Sequence, residues 1–124
     1  MTHIDTHVAV WLYEKDLARF TPRGLTTLRA GELQVSPFVV LELEYLFEVG
    51  KIREHGETVI NDLRQRLDLQ FCLLPVGDVV TAAIEESWTR DPFDRLLTAT
   101  ARRESAQLLT KDKHIRRHFP GALW

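Results

Sequence analysis

This sequence predicts an α/β layer fold with a mainly parallel sheet, and three observations carry that prediction. Short apolar runs alternate with helical patterns from one end of the chain to the other, the arrangement of a parallel sheet covered by helices. A helix-start signature stands directly behind an apolar run at Ser36-Pro37, and another, Asp91-Pro92, opens an apolar repeat at helical spacing. The 124 residues suffice for one sizeable core and not for two, so residues 1–124 are expected to form one domain.

The elements follow in order. Ile4 ends a very short apolar start, and "DTHVAVWLYE" continues as a helix. "TPRGLTTLRAG" predicts a helix closed by Gly31, and "ELQVSP" a strand that stops at Ser36-Pro37. In "PFVVLELEYLFEVGKI" Ser36 is the expected N-cap, Pro37 the first helical residue and Gly50 the end. "EHGETVINDLRQRLD" is amphipathic, and "LQFCLLP" reads as a fully buried strand. "GDVVTAAIEESW" predicts a helix that includes Trp88. "RDPFDRLLTATARR" predicts another, with Asp91 as cap and Asp94 as the acid at its third position, and Phe93, Leu96, Leu97, Thr100 and Ala101 recur at helical spacing. "AQLLT" is the last predicted strand, "DKHIRRHF" a short basic helix, and "GALW" ends the chain.

Composition narrows the function. No apolar run approaches the roughly 20 residues of a membrane span, and "MTHIDTH" lacks the basic-then-apolar pattern of a signal peptide. Cys72 is the only cysteine, so no disulfide framework exists, and its apolar surroundings predict a core thiol. A cytoplasmic protein is the expectation. The net charge of −2 excludes binding to nucleic acid by bulk charge alone. It does not exclude a nucleic-acid substrate, because a cation-binding acid cluster counts as negative.

In an open parallel sheet, ligands bind beyond the carboxyl ends of the strands. The acids found there are Asp5 after the first strand, Glu42 in the helix after "LQV", Asp94 at a helix start and Asp112 after "LLT". Asp5, Asp91 and Asp112 each also read as an N-cap. Glu42 is harder to dismiss. At about 100° per residue, Glu44 and Glu48 share one side of the helix, while Glu42 falls among Phe38, Val39, Leu46 and Val49. A carboxylate on an apolar face needs a compensating partner, either an arginine or a metal ion. Several carboxylates in one cleft repel each other unless divalent cations lie between them, and oxygen ligands suit Mg²⁺ or Mn²⁺. Such ions support phosphodiester hydrolysis.

These residues carry a resemblance that runs end to end. "IDTHVAVWL", "SPFVVLELEYLFEVGKI", "RDPFDRLLTATA" and "LLTKDKHI" resemble, in order, the four motifs of PIN-domain ribonucleases of the VapC type, toxins of bacterial toxin–antitoxin pairs. The resemblance implies a PIN-like α/β/α sandwich and a Mg²⁺- or Mn²⁺-dependent endoribonuclease. It implies that Asp5, Glu42, Asp94 and Asp112 form the metal-binding catalytic quartet, with Asp91 an accessory acid. Thr6, Ser36 and Thr110 match small hydroxyl positions that support the site. It further implies an RNA substrate, a VapB-type antitoxin partner that blocks the cleft, and a homodimer. The family usually has a longer apolar run before its first Asp, whereas here only His3 and Ile4 of that run precede Asp5, so either the first strand is short or the true start lies upstream.

Around this site Arg95, Lys111, Lys113, Arg116 and Arg117 are candidate RNA contacts, and Arg95 is placed to pair with Asp91 four residues back. His114 and His118 share a helix face but make only half a zinc site. Trp11 and Trp88 read as core or interface residues. Other classes fit less well. A haloacid-dehalogenase-type phosphatase needs a second Asp two residues after the first, and His7 stands there. A receiver domain would need paired acids at the first strand. A binding module without catalysis would gain nothing from Glu42 on an apolar face.

Overall fold

The computed structural model describes residues 1–124. Five strands, β1 (Thr2–Ile4), β2 (Leu33–Val35), β3 (Gln70–Phe71), β4 (Gln107–Leu109) and β5 (Ala122–Leu123), form one sheet in the order β3-β2-β1-β4-β5, with every pairing parallel. Seven α-helices flank it: α1 (Thr6–Tyr13), α2 (Pro22–Ala30), α3 (Pro37–Glu48), α4 (Gly56–Leu67), α5 (Val76–Ile84), α6 (Pro92–Arg103) and α7 (Lys113–His118). This is the α/β/α layering with a parallel sheet that the sequence predicts.

β1 is only three residues long, yet it is the central strand. It pairs with β2 on one side and β4 on the other, and Thr2, His3 and Ile4 are all buried. Helices on both faces exclude water, so even a short strand needs no polar alternation. On one face Ile4, Val35 and Leu109 join Val8, Val39, Leu43, Ile60, Leu63 and Leu97 in the main core. On the other, Leu108 packs with Ala101, Ile115 and Phe119.

The helix starts behave as the sequence predicts. Asp5, Thr21, Ser36, Asp91 and Asp112 each place a side-chain oxygen on a backbone N–H of the helix that follows, a contribution of about 1 kcal/mol per cap. Gly50 leaves the end of α3 at φ 79°, a left-handed conformation that glycine adopts without penalty.

Three expectations are corrected. "LQFCLLP" is not a fully buried strand: only Gln70 and Phe71 pair, on the sheet edge, and Leu73 is 89% exposed. Its partner β2 ends at Val35 because Ser36-Pro37 opens α3 there, so the ladder has nowhere to extend. "GALW" supplies a fifth strand, which pairs because α7 returns the chain alongside β4. Trp88 lies in the loop between α5 and α6, beyond the end of the helix at Ile84.

Candidate active site

The strand order reverses direction at β1 and β4: the chain runs from β1 outward to β3, then resumes on the far side of β1. A crevice at the carboxyl ends of two such strands is where open parallel sheets bind ligands. Here a cleft of about 400 Å³ is lined by Asp5, His7, Trp11, Glu42, Asp91, Asp94, Lys111 and Asp112. All four acids of the predicted quartet therefore meet in one place, with Asp91 as a fifth. Larger hollows exist, up to about 640 Å³ between α3 and α4, but they gather at most two acids each.

Each carboxylate is set by a local reason. Asp5 follows β1, and its backbone N–H donates to Leu109 O of β4 at 3.1 Å. Its Oδ1 accepts from Thr6 N–H at 2.6 Å and its Oδ2 from the Thr110 hydroxyl. The Thr6 hydroxyl donates to Glu42 Oε1, which brings α3 to α1. Thr110 Oγ1 also accepts from Asp112 N–H at 3.1 Å. Asp112 caps α7 with Oδ1 alone, at 2.7 Å from His114 N and 2.9 Å from Ile115 N, so its Oδ2 is free. Thr6 and Thr110 are thus fully buried hydroxyls that tie the acids together. Ser36 is buried too, but its hydroxyl accepts only from Phe38 N–H and supports the start of α3.

Asp94 sits in the first turn of α6, as its spacing predicts. It does not cap: Asp91 Oδ1 accepts the Asp94 N–H at 3.0 Å, and no N–H in the helix donates to the Asp94 carboxylate. The helix start is satisfied by Asp91 alone, which frees Asp94 to face the cleft.

Burial and crowding shape the protonation of this group. Asp5 is raised above the usual carboxylate range by burial, partly offset by the hydrogen bonds from Thr110 and Thr6. Glu42 rises from 4.5 to about 7, first through burial and then through the charges of Asp5 and Asp91, against the Thr6 hydrogen bond. Asp94 rises from 3.8 to about 7, through burial first and then Asp91, Asp5, Asp112 and Glu42. No basic side chain comes within 4.0 Å of any of the five acids. Hard oxygen donors without a protein counter-ion, some still carrying a free lone pair, fit a divalent cation.

A test of this crowding needs no substrate. In chelator, Glu42 and Asp94 keep protons up to about pH 7 when folded, whereas an unfolded chain loses them near pH 4. The folded state binds more protons in that window, so stability must fall as pH rises through it. The melting temperature is expected to drop by a few degrees between pH 5 and pH 7.5, and less steeply in Asp94→Asn. A melting temperature that rises over this range in chelator would contradict the crowding.

Of the basic candidates, only Lys111 lines the cleft. Arg95 does not pair with Asp91: its Nε donates to Thr89 O at 2.8 Å and braces the loop before α6. Arg116 turns back to Lys111 O at 3.2 Å, while Lys113 and Arg117 are exposed on α7. His114 and His118 pack against Trp88, whose ring stacks on His118 at 4.9 Å, and they do not line the cleft. Trp11, read from the sequence as a core or interface residue, is half-buried against Phe20 and Trp124 and borders the acids. Its position in the cleft, like that of His7, has no signal in the linear pattern.

Fold and cleft together define a class: an α/β protein that gathers carboxylates, the donor set of a hard divalent cation, at the switch point of a parallel sheet. The chain belongs to the PIN domain family, whose sequence profile matches residues 3–118. It is 29% identical over 117 residues to Ribonuclease VapC22 of Mycobacterium tuberculosis (strain ATCC 25618 / H37Rv), covering 93% of this chain and 89% of that protein. Its fold is similar to the crystal structure of VapBC2 from Rickettsia felis bound to a DNA fragment from their promoter, with a TM-score of 0.65, 18% identity, and coverage of 98% of this chain and 95% of that one. A toxin–antitoxin complex from Klebsiella pneumoniae is also similar, with a TM-score of 0.64, 14% identity, and coverage of 100% and 97%.

Proposed function

We propose that this chain is a PIN domain over residues 1–124 that hydrolyses RNA phosphodiester bonds with Mg²⁺ or Mn²⁺, as the toxin of a VapBC-type pair. The carrying observation is the convergence of Asp5, Glu42, Asp91, Asp94 and Asp112 on one cleft with no basic side chain paired to any of them. The name of the ribonuclease relative and the toxin–antitoxin assemblies with this fold support the reading. In it, Asp5, Glu42, Asp94 and Asp112 hold the cation, and Asp91 adds charge at the rim. When bound, a divalent cation supplies a Lewis acid and lowers the pKa of water for phosphodiester cleavage.

The chain's own residues do the rest. Thr110 and the Thr6 N–H hold Asp5 in one rotamer, and Thr6 holds Glu42 beside it. The free Oδ2 of Asp112 and the uncapped carboxylate of Asp94 complete the ligand set. Lys111, which lines the cleft, would meet a phosphate at its mouth; Lys113, Arg116 and Arg117 lie outside the cleft and would meet RNA only beyond it, and Arg95 braces the loop before α6. Without the four quartet charges the chain would be mildly basic, so cation loading turns a phosphate-repelling cleft into an accepting one.

Cleavage of RNA is therefore expected to stop in excess EDTA and to return with Mg²⁺ or Mn²⁺. Ca²⁺ is expected to bind but to restore little, because its looser coordination positions water poorly. Cleavage undiminished after dialysis against chelator would sink the metal mechanism.

The partners follow from the same reading: a VapB-type antitoxin encoded nearby, which would fill the acid cleft with a basic side chain, and a second copy of the chain. No helix is long and apolar enough to cross a membrane, and a cytoplasmic location suits a toxin that acts on cellular RNA. The homodimer is supported by exposed apolar side chains at four-residue spacing, Leu41, Tyr45 and Val49 on and just beyond α3 and Val76, Val80 and Ile84 on α5. A monomer in sedimentation at high micromolar concentration would remove the dimer. Growth arrest that no adjacent gene relieves would remove the antitoxin.

A further inference from the structure

A second group of metal-ligating side chains lies outside the cleft and takes no part in the proposed reaction. His3 of β1, Cys72 just after β3 and Glu104 at the end of α6 each present one ligand atom, all within 4.8 Å of one another. His3 Nε2 is 2.8 Å from Glu104 Oε2, and the Cys72 thiol donates to Glu104 Oε1 at 3.2 Å. His3 and Cys72 are buried, and the Glu104 side chain is 16% exposed, which leaves a way in from solvent.

We propose that His3, Cys72 and Glu104 form a binding site for a borderline transition-metal ion of the Zn²⁺ class, separate from the acid cleft. The donor set decides the ion. Imidazole nitrogen, thiolate sulfur and one carboxylate suit Zn²⁺ or Co²⁺ and are poor for Mg²⁺. The charges also close: one thiolate and one carboxylate neutralise a divalent ion, which a buried position requires. Without metal the same three groups are joined by protons, with the thiol S–H on one Glu104 oxygen and the His3 ring on the other. Metal binding replaces the thiol proton, which leaves to solvent, and moves the proton of the neutral imidazole to Nδ1. Burial, and then Glu104, keep the thiol above its ordinary range until a cation arrives.

Gln34 supplies an independent observation. The strand register sets Gln34 beside His3 and Gln70, so its side chain shares the sheet face of His3, and Cys72 shares that face by alternation. Its Oε1 is buried and has no hydrogen-bond partner. A buried carbonyl oxygen without a donor is costly, and here it stands on the face where a fourth ligand is needed. An ion so held would pin edge strand β3 and the end of α6 to β1, two residues before Asp5.

Cobalt reads this site directly, because Cys72 is the only thiol in the chain. The full-length protein, with Mg²⁺ in excess to occupy the acid cleft, is titrated with Co²⁺ and then with Zn²⁺. One equivalent of Co²⁺ is expected to produce a near-ultraviolet thiolate-to-cobalt band and the intense visible bands of tetrahedral coordination, both displaced by Zn²⁺. Asp94→Asn is expected to retain them. Glu104→Gln and His3→Gln are each expected to weaken cobalt binding about tenfold or more. Absence of the thiolate band in protein that is folded by circular dichroism overturns the site. A band equally strong in Glu104→Gln also overturns it, since the thiol would then be binding alone. Should His3→Gln fail to fold, the Glu104→Gln result decides by itself.

Discussion

Asparagine at position 94 or at position 5 is expected to cut RNA cleavage on the order of a hundredfold or more, the upper end of what loss of even an outer metal-site partner costs, and to abolish growth toxicity. The fold should survive both changes. Asp94 caps nothing, because Asp91 already satisfies the start of α6, so Asp94→Asn removes a cleft charge without loosening the helix. Asp5→Asn keeps one oxygen to accept the Thr6 N–H and gains an amide that can donate to the Thr110 hydroxyl. Both aspartates are raised in pKa by burial, so a neutral isostere relieves an unfavourable charge. In chelator the variants are therefore expected to melt no lower than the wild type, while Mg²⁺ should stabilise them less. Wild-type cleavage by either variant at matched expression would take that residue out of the mechanism.

The second large effect separates two glutamates two positions apart. Glu42→Gln is expected to be as inactive as the aspartate variants, whereas Glu44→Gln should cleave RNA at close to the wild-type rate. Glu42 faces the cleft and accepts from Thr6. Glu44, about 200° further round α3, points away. It is bound to the next helix rather than free in solvent. Its Oε1 accepts from Gly56 N–H at 3.0 Å, and its Oε2 lies 3.0 Å from His55 Nδ1, so it holds the start of α4. Those bonds, the one from Gly56 first, keep its carboxyl below the usual range. Glutamine retains an acceptor but loses the charge that favours a helix N-terminus, so Glu44→Gln should lower the melting temperature slightly with cleavage intact. Gly56 explains the close approach: a Cβ there would lie 2.5 Å from Val40 O. If Glu44→Gln were the inactive variant, the assignment of the cleft would fail.

Much of this protein is legible in one dimension, for physical reasons that can be named. Helix starts are local events, so Ser36-Pro37, Asp91-Pro92 and Asp112 mark α3, α6 and α7 without reference to the rest of the chain. Helical periodicity is also local, and it places Glu42 on a different face from Glu44. Alternation of strands and helices implies the parallel sheet, and the rule for strand ends points to Asp5 and Asp112. Contacts between distant segments are not local, and there the reading fails or stays silent. "GALW" carries no periodicity and becomes β5 only because β4 offers it an edge. "LQFCLLP" looks like a buried strand, but whether a strand is central or at the edge depends on its neighbours. Local spacing allows Arg95 to pair with Asp91, but the fold turns Arg95 toward Thr89 O. The gathering of Thr6, Thr110 and four carboxylates, and of His3, Cys72 and Glu104, joins residues up to about a hundred positions apart. The sequence by itself determined which segments fold as helices and which acids follow strands, because caps and periodicity act over a few residues. Only the tertiary structure decided which of those acids share a cleft and which polar groups share a sheet face, because strand order and register are set by packing across the whole chain.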